Sequence, residues 1–243
     1  MLIIKLDATD STNAYLKNLL LHDSPEDFTV VLAHRQFAGR GQMGTHWLSE
    51  AGKNLTFSIL KKHDALSAQR QFSMTVATSL GVYRALKRLR VPELKIKWPN
   101  DILSGSCKIC GILIENLTAG RTIQSSILGI GLNVNQESFE GLEQVSSLKL
   151  LLGRPLDLEE VLHLVLEEVA TAFDQLQTKG YAELKATYVD SLFRKDKPST
   201  FRNGKGELFM GFIRGVTEEG RLLVALEDDV LREFDLKEIQ LLY

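Results

Sequence analysis

The sequence predicts an α+β domain followed by a small all-β module, and three observations carry that prediction. Residues 1–194 mix short buried strands with segments of helical apolar spacing. Residues 195–243 change character and hold only short alternating segments separated by turn signals. A chain of 243 residues with 44% hydrophobic and 25% charged residues has room for one such medium domain plus a small one, and enough apolar surface to bury a core.

The elements follow in order. Residues 2–6 read as a first strand, and Asp10-Ser11-Thr12-Asn13 offers N-cap chemistry for a helix over residues 14–21. Residues 28–33 form a buried strand that runs into a glycine loop at 39–44, and residues 54–60 form another strand. Residues 68–90 carry Phe72, Val76, Leu80, Tyr83 and Leu86 on one side of a helix. A strand at 94–98 is stopped by Pro99. Ile102-Leu103, a Ser/Gly turn and residues 108–115 read as a hairpin, and 122–129 as a further strand. A helix over 158–178 is capped by Asp157 and stopped by Gly180, and a last helix covers 181–192. The terminal module holds four or five strands, with turns at Asn203-Gly204 and Glu219-Gly220.

The charge balance, 29 basic against 31 acidic residues, lacks the basic excess of a general nucleic-acid binder. No apolar run is long enough to cross a membrane, and the charged N-terminus is not a signal peptide, so a cytoplasmic location is expected. Two cysteines, Cys107 and Cys110, are too few for a disulfide framework.

Two textual matches are decoys. Gly39-x-Gly41-x-x-Gly44 has the dinucleotide spacing, but Thr45-His46-Trp47-Leu48 is not a credible helix start, and no Lys-Ser/Thr follows for a P-loop. Cys107-x-x-Cys110 has no second ligand pair, and the flanking isoleucines argue for a strand, where positions three apart face opposite sides. The five histidines show no ligand spacing and read as surface or loop residues, so no tight metal site is expected. The glycine loop retains a chemistry of its own. Its glycines let the backbone approach a ligand, Arg40 can neutralise a carboxylate or phosphate, and Trp47 supplies an apolar wall with one donor. That combination suits a ligand apolar at one end and anionic at the other.

Five motifs then occur in order: Ser11-Thr12-Asn13; Gln36-Phe37-Ala38-Gly39-Arg40-Gly41; Lys97-Trp98-Pro99-Asn100-Asp101; Lys108-Ile109-Cys110-Gly111-Ile112-Leu113-Ile114-Glu115; and Gly129-Ile130-Gly131-Leu132-Asn133-Val134-Asn135. As an ordered set, covering essentially the whole chain, they resemble the biotin protein ligases. The resemblance implies a mixed sheet with flanking helices, related to class II aminoacyl-tRNA synthetases, over residues 1–194, and an SH3-like barrel over 195–243. It implies a two-step reaction. Biotin attacks the α-phosphate of ATP to give biotinyl-5′-AMP, magnesium accompanying the ATP, and a lysine of a biotin carrier domain, such as that of acetyl-CoA carboxylase, then attacks the mixed anhydride.

The resemblance also distributes roles. Ser11, Thr12, Asn13, Gln36, Gly39, Arg40, Gly41, Gln42, Trp47, Lys108 and Gly111 are expected to bind biotin. Arg40, Asn100, Lys108, Gly129, Gly131 and Asn133 are expected at the nucleotide. Lys108, Arg40 and Asp101 are the expected catalytic set, with Lys108 stabilising charge where two anions meet. From the residues alone, Ser11 and Thr12 equally suit helix capping, Lys97 and Trp98 packing, and Asn133 a turn. Many relatives carry arginine where this chain has Gln42, which predicts looser retention of the adenylate. Bifunctional relatives have a DNA-binding helix-turn-helix before the catalytic domain. Here ten residues precede Ser11, so no DNA binding is expected. A monomer or weak homodimer is the expected state. Lipoate ligase of the same fold and a non-catalytic biotin-binding module are the alternatives.

Overall fold

The computed structural model describes residues 1–227 and 230–243. Twelve strands form two sheets among those residues. The first has seven strands: β1 (Ile3–Thr9), β2 (Val30–Gln36), β3 (Leu55–Ser67), β4 (Leu94–Lys97), β5 (Asp101–Ser104), β6 (Cys107–Ala119) and β7 (Thr122–Leu132). Their spatial order is β1-β2-β3-β7-β6-β5-β4. Only β1 and β2 pair in parallel, as the crossover helix α1 (Thr12–His22) between them requires. All other neighbours are antiparallel, so the sheet is mixed.

Side chains alternate across this sheet. Val30, Ile59 and Leu128 face a large core filled by α2 (Phe72–Arg88) and α4 (Leu158–Thr178). Their chain neighbours Val31, Leu60 and Ile127 face the other way and pack with Leu16 of α1 in a small separate core. Helices thus cover both faces, but α1 covers only part of its own. α3 (Leu148–Leu152) and α5 (Tyr181–Asp190) complete the helices.

The second sheet, wholly antiparallel, holds β8 (Pro198–Asn203), β9 (Leu208–Val216), β10 (Leu222–Ala225), β11 (Leu231–Phe234) and β12 (Ile239–Leu242) in the order β11-β10-β9-β8-β12. Its buried Phe201, Ile213, Val216 and Val224 belong to the same apolar cluster as the main core. The turn after β9 presses onto the first sheet. Trp98 Nε1 donates to the Gly220 carbonyl at 2.8 Å. Gly220 has φ +95, and a Cβ there would fall 2.2 Å from the Phe72 ring, so the position takes only glycine.

Local signals placed the best-read elements. Asp157 caps α4 by accepting from the amides of Glu159 and Glu160, and Gly180 past its end adopts φ 87. Long-range pairing moved others. β3 runs to Ser67, beyond the expected end at 60, because β7 pairs with it that far. Phe28 leaves the expected strand with φ 57, and its ring meets Phe173 of α4 edge-on at 5.9 Å. The helix expected from 68 starts at Phe72, after a single 3₁₀ turn at Ala68–Arg70. His63 lies half-buried on β3 rather than in a loop, 2.9 Å from Ser126 Oγ. No helix among the described residues is long and apolar enough to cross a membrane.

Candidate active site

On the α1 face of the seven-stranded sheet, where the helix stops short, lies a cavity of about 300 Å³. Its floor is glycine. Gly111 of β6 and Gly131 of β7 are direct cross-strand partners, and Gly129 lies two residues back on the same face. The absent side chains make room for two others. A Cβ on Gly131 would fall 2.3 Å from Trp47 Cε2, one on Gly111 3.0 Å from Trp47 Cζ3, and one on Gly129 2.4 Å from Asn13 Oδ1. The indole therefore lies flat on a glycine pair, an arrangement no substituted residue permits without displacing it.

The N-terminus of α1 forms one wall. Ser11, Thr12 and Asn13 are only 5%, 4% and 5% exposed. Ser11 caps the helix, accepting from the Ala14 amide at 3.4 Å, so the capping reading holds while the residue also lines the cavity. Thr12 donates its backbone N–H to Gln36 Oε1 at 2.9 Å. Asn13 Nδ2 donates to Glu115 Oε2 at 2.7 Å, and Ser58 Oγ stands 2.7 Å from Thr12 Oγ1 and 2.6 Å from Asn13 Oδ1. Buried polar groups joined this fully hold a fixed geometry.

The glycine loop forms the second wall. It folds back on itself through an Arg40–His46 bridge, the Gly41 amide donating to Thr45 O at 2.7 Å and the Trp47 amide to Gly39 O at 2.9 Å. No α-helix follows it until α2, which removes the dinucleotide reading. Gly39 does not line the cavity. It is buried behind the loop, where a Cβ would strike Gln36 Nε2 and the Trp47 carbonyl at 2.5 Å. Arg40, Gly41 and Gln42 line it, with Arg40 exposed. Trp47 Nε1 is buried and has no hydrogen-bond partner among the described residues.

The charged end is built by the β4–β5 turn and β6. Lys108 Nζ pairs with Asp101 Oδ1 at 2.7 Å and lies 5.6 Å from the Trp47 ring centroid. Asn100 is clamped to β6: its Nδ2 donates to the Ile112 carbonyl, and the Ile112 amide donates to the Asn100 carbonyl at 3.1 Å. Tyr188 of α5, fully buried, donates its hydroxyl to the Pro99 carbonyl at 2.7 Å. Lys97 also lines the cavity. Burial pushes its ammonium pKa down and Lys108 pushes the same way, while Asp101 opposes both. Among the described lining residues, Arg40, Lys97 and Lys108 meet a single carboxylate, Asp101. Such a site suits a ligand with an apolar body against Trp47 and an anionic group at the cations.

Asn133 is not brought to the cavity. It is buried, and its Nδ2 donates to the Ser146 carbonyl at 3.1 Å. Both cysteines are free; Cys110 is wholly buried, and burial pushes its thiol pKa up. Among the described residues no group of three or more His, Cys, Asp or Glu is placed to hold a metal. No sequence motif gives a site role to Thr56, Ser58, His46 or Leu236, and Lys97, equally suited to packing within its motif, lines the cavity. Thr56 and Ser58 were findable, since alternation along β3 puts both opposite the buried Phe57 and Ile59. Leu236, from the turn before β12, reaches the cavity only through the folding of the second sheet, and no local signal marks it.

A sequence model of the biotin/lipoate A/B protein ligase family matches residues 6–133, more than half of the chain. The biotin--[acetyl-CoA-carboxylase] ligase of Paracoccus denitrificans is 33% identical over 226 residues, spanning 90% of this chain and 92% of that protein. The enzyme of the same name from Mycobacterium tuberculosis is 29% identical, over 88% of this chain and 79% of its own length. Among solved structures, the biotin protein ligase of Aquifex aeolicus in complex with biotin and ATP superimposes with a TM-score of 0.80 at 26% identity, covering 99% of this chain and 98% of that one. With its glycine-floored cavity and lysine–aspartate pair set in that matching fold, the chain belongs to the biotin/lipoate A/B protein ligase family, within its biotin protein ligases.

Proposed function

We propose that this protein is an ATP-dependent biotin protein ligase that joins biotin to AMP and then passes the biotinyl group to a lysine of a carrier domain. One observation supports this above the rest: Lys108, held by Asp101, lines a cavity that it shares with the apolar Trp47 wall and with the cations Lys97 and Arg40. Two anions, a carboxylate and an α-phosphate, must meet in the first step. Preorganised cations at their meeting point lower that barrier without reorganising. Lys108 and Arg40 take that role, and Asp101 orients Lys108. The hydroxyls and amides of Ser11, Thr12, Asn13 and Gln36 take the ureido group. Asn100, Gly129 and Gly131 shape the nucleotide end. Trp47 Nε1, buried and without a hydrogen-bond partner among the described residues, is a spare donor for the ligand.

Magnesium fits this donor set only as a companion of ATP. Among the described residues the cavity holds one carboxylate, Asp101, a donor set that suits an ion held chiefly by phosphates. Bound there, the ion neutralises phosphate charge. On this reading residues 1–194 form a catalytic domain of the class II aminoacyl-tRNA synthetase type and 195–243 an SH3-like domain. The carrier is that of acetyl-CoA carboxylase or a related biotin enzyme, as the names of the relatives suggest.

Incubation with ATP, magnesium, biotin and a purified carrier domain tests the reading, with the carrier mass as readout. The expected result is one biotinyl group on the carrier, lost when biotin is replaced by lipoate. An unmodified competent carrier sinks the proposal, and lipoylation in its place selects the lipoate branch. A carrier left unmodified while biotin and ATP still raise the thermal midpoint leaves a binding module only.

A further inference from the structure

Tyr243, just past β12, lies in the primary sequence far from every motif of the cavity, yet it stands beside two of them. Its ring faces the Lys97 ammonium, 5.0 Å from Nζ to the ring centroid. The same ring packs edge-on against Phe193 at 4.9 Å, which fixes its plane. Its carbonyl oxygen accepts from Gln144 Nε2 at 2.6 Å. Gln144, held at φ 55, in turn accepts on its own carbonyl the backbone N–H of Lys108 at 2.7 Å. A continuous strut therefore joins the second sheet to the backbone of the cavity lysine.

Lys97 needs such a neighbour. It is the cross-strand partner of Asp101, but that carboxylate is engaged by Lys108. Among the described residues Lys97 has no carboxylate at ion-pair distance, and it is largely buried beside a second cation. The negative face of an aromatic ring is the remaining stabiliser for an ammonium in that position, and desolvation strengthens the attraction.

We propose that Tyr243 is a positioning residue for the nucleotide: its ring holds the Lys97 ammonium in the cavity, ready for the phosphates, and its Gln144 contact keeps the second sheet in register with Lys108. The inference rests on the ATP-dependent ligase reading given above. It concerns a residue that does not itself line the cavity.

The test is biotin-dependent ATP–pyrophosphate exchange by wild type, Tyr243→Leu, Tyr243→Phe and Lys97→Met. Tyr243→Leu is expected to raise KM for ATP about tenfold and leave KM for biotin within about twofold. Tyr243→Phe keeps the ring and is expected to restore the wild-type value. Lys97→Met combined with Tyr243→Leu is expected to be no worse than Lys97→Met alone, as for two groups acting as one. Equal losses in the Phe and Leu variants, a parallel rise in both KM values, or additive effects in the double variant overturn the proposal. Should Tyr243→Leu fail to fold, Gln144→Ala provides the second arm. It is expected to raise KM for ATP selectively, and an unchanged value overturns the proposal. Wild type without exchange activity refutes the ligase reading itself, whereas an active wild type with an unaffected Tyr243→Leu refutes only this inference.

Discussion

The two faces of the seven-stranded sheet are made by the same strands and do opposite work. One face presents Val30, Ile59, Leu128 and Ile130 to α2 and α4 and is filled. The other presents Gly111, Gly129 and Gly131 and is hollow there. Because the side-chain period of a strand is two, adjacent residues such as Leu128 and Gly129 belong to different problems, one to stability and one to ligand shape. The rigid filled face is what allows the open face to keep its geometry.

That contrast breaks most visibly on the filled side. Ile59→Ala is expected to cost about 2–5 kcal/mol in denaturant unfolding, because a wholly buried side chain leaves a cavity. A loss below about 1 kcal/mol would show that this face is not what holds the sheet. On the open side, Lys108→Ala is expected to lower biotinyl-AMP formation by about 10²–10³-fold with the unfolding midpoint unmoved. Full activity in that variant removes Lys108 from the chemistry.

Gly131→Ala sharpens the comparison on a single methyl group. The added Cβ meets the Trp47 indole at 2.3 Å, so the indole must leave its seat. KM for biotin is expected to rise about 10-fold or more while stability barely changes, and the reverse pattern would make the glycine pair a packing device only. Gln42→Arg, on the loop above the same floor, adds a cation to the cavity lining and is expected to slow release of biotinyl-AMP several-fold. Equal release from both proteins ends that idea.

The smallest effect concerns pH, at the far end of the β3–β7 ribbon. Burial, with Lys61 next in size, lowers the pKa of His63 from its ordinary 6.5, against weaker opposing pulls from Asp27 and Asp64. The fold therefore prefers the neutral ring. Its contribution is complete above the unfolded value and is lost as pH falls through the lowered folded value. Thermal midpoints are expected to drop from pH 7 to pH 5 by less in His63→Gln than in wild type. An identical drop in both assigns the acid sensitivity elsewhere.

What was legible in the sequence differed between these regions for physical reasons. α4 was legible because its cap and its stop, Asp157 and Gly180, are local. The glycines at 111, 129 and 131 were legible as motif letters, but their purpose was not. Only folding brings Trp47 over the Gly111–Gly131 pair and Asn13 against Gly129. Arg40, Gly41, Gln42, Asn100, Asp101 and Lys108 do converge on one cavity, whereas Gly39 sits behind its wall and Asn133 is spent on Ser146. Leu236 and Tyr243 carry no motif, because their relation to the cavity is set by the docking of the second sheet. The length of β3 depended on a partner more than fifty residues away, which no window along β3 records.

The two tryptophans, finally, divide the molecule into two optical channels. Trp47 rides on the glycine loop, its indole N–H without a partner among the described residues, and Trp98 is bonded to Gly220 where the two sheets meet. Replacing either by phenylalanine leaves a single fluorophore, one reporting the loop and the other the junction of the sheets. Stopped-flow emission from such a pair puts loop closure and sheet-to-sheet motion on separate clocks in the same protein, without a dye.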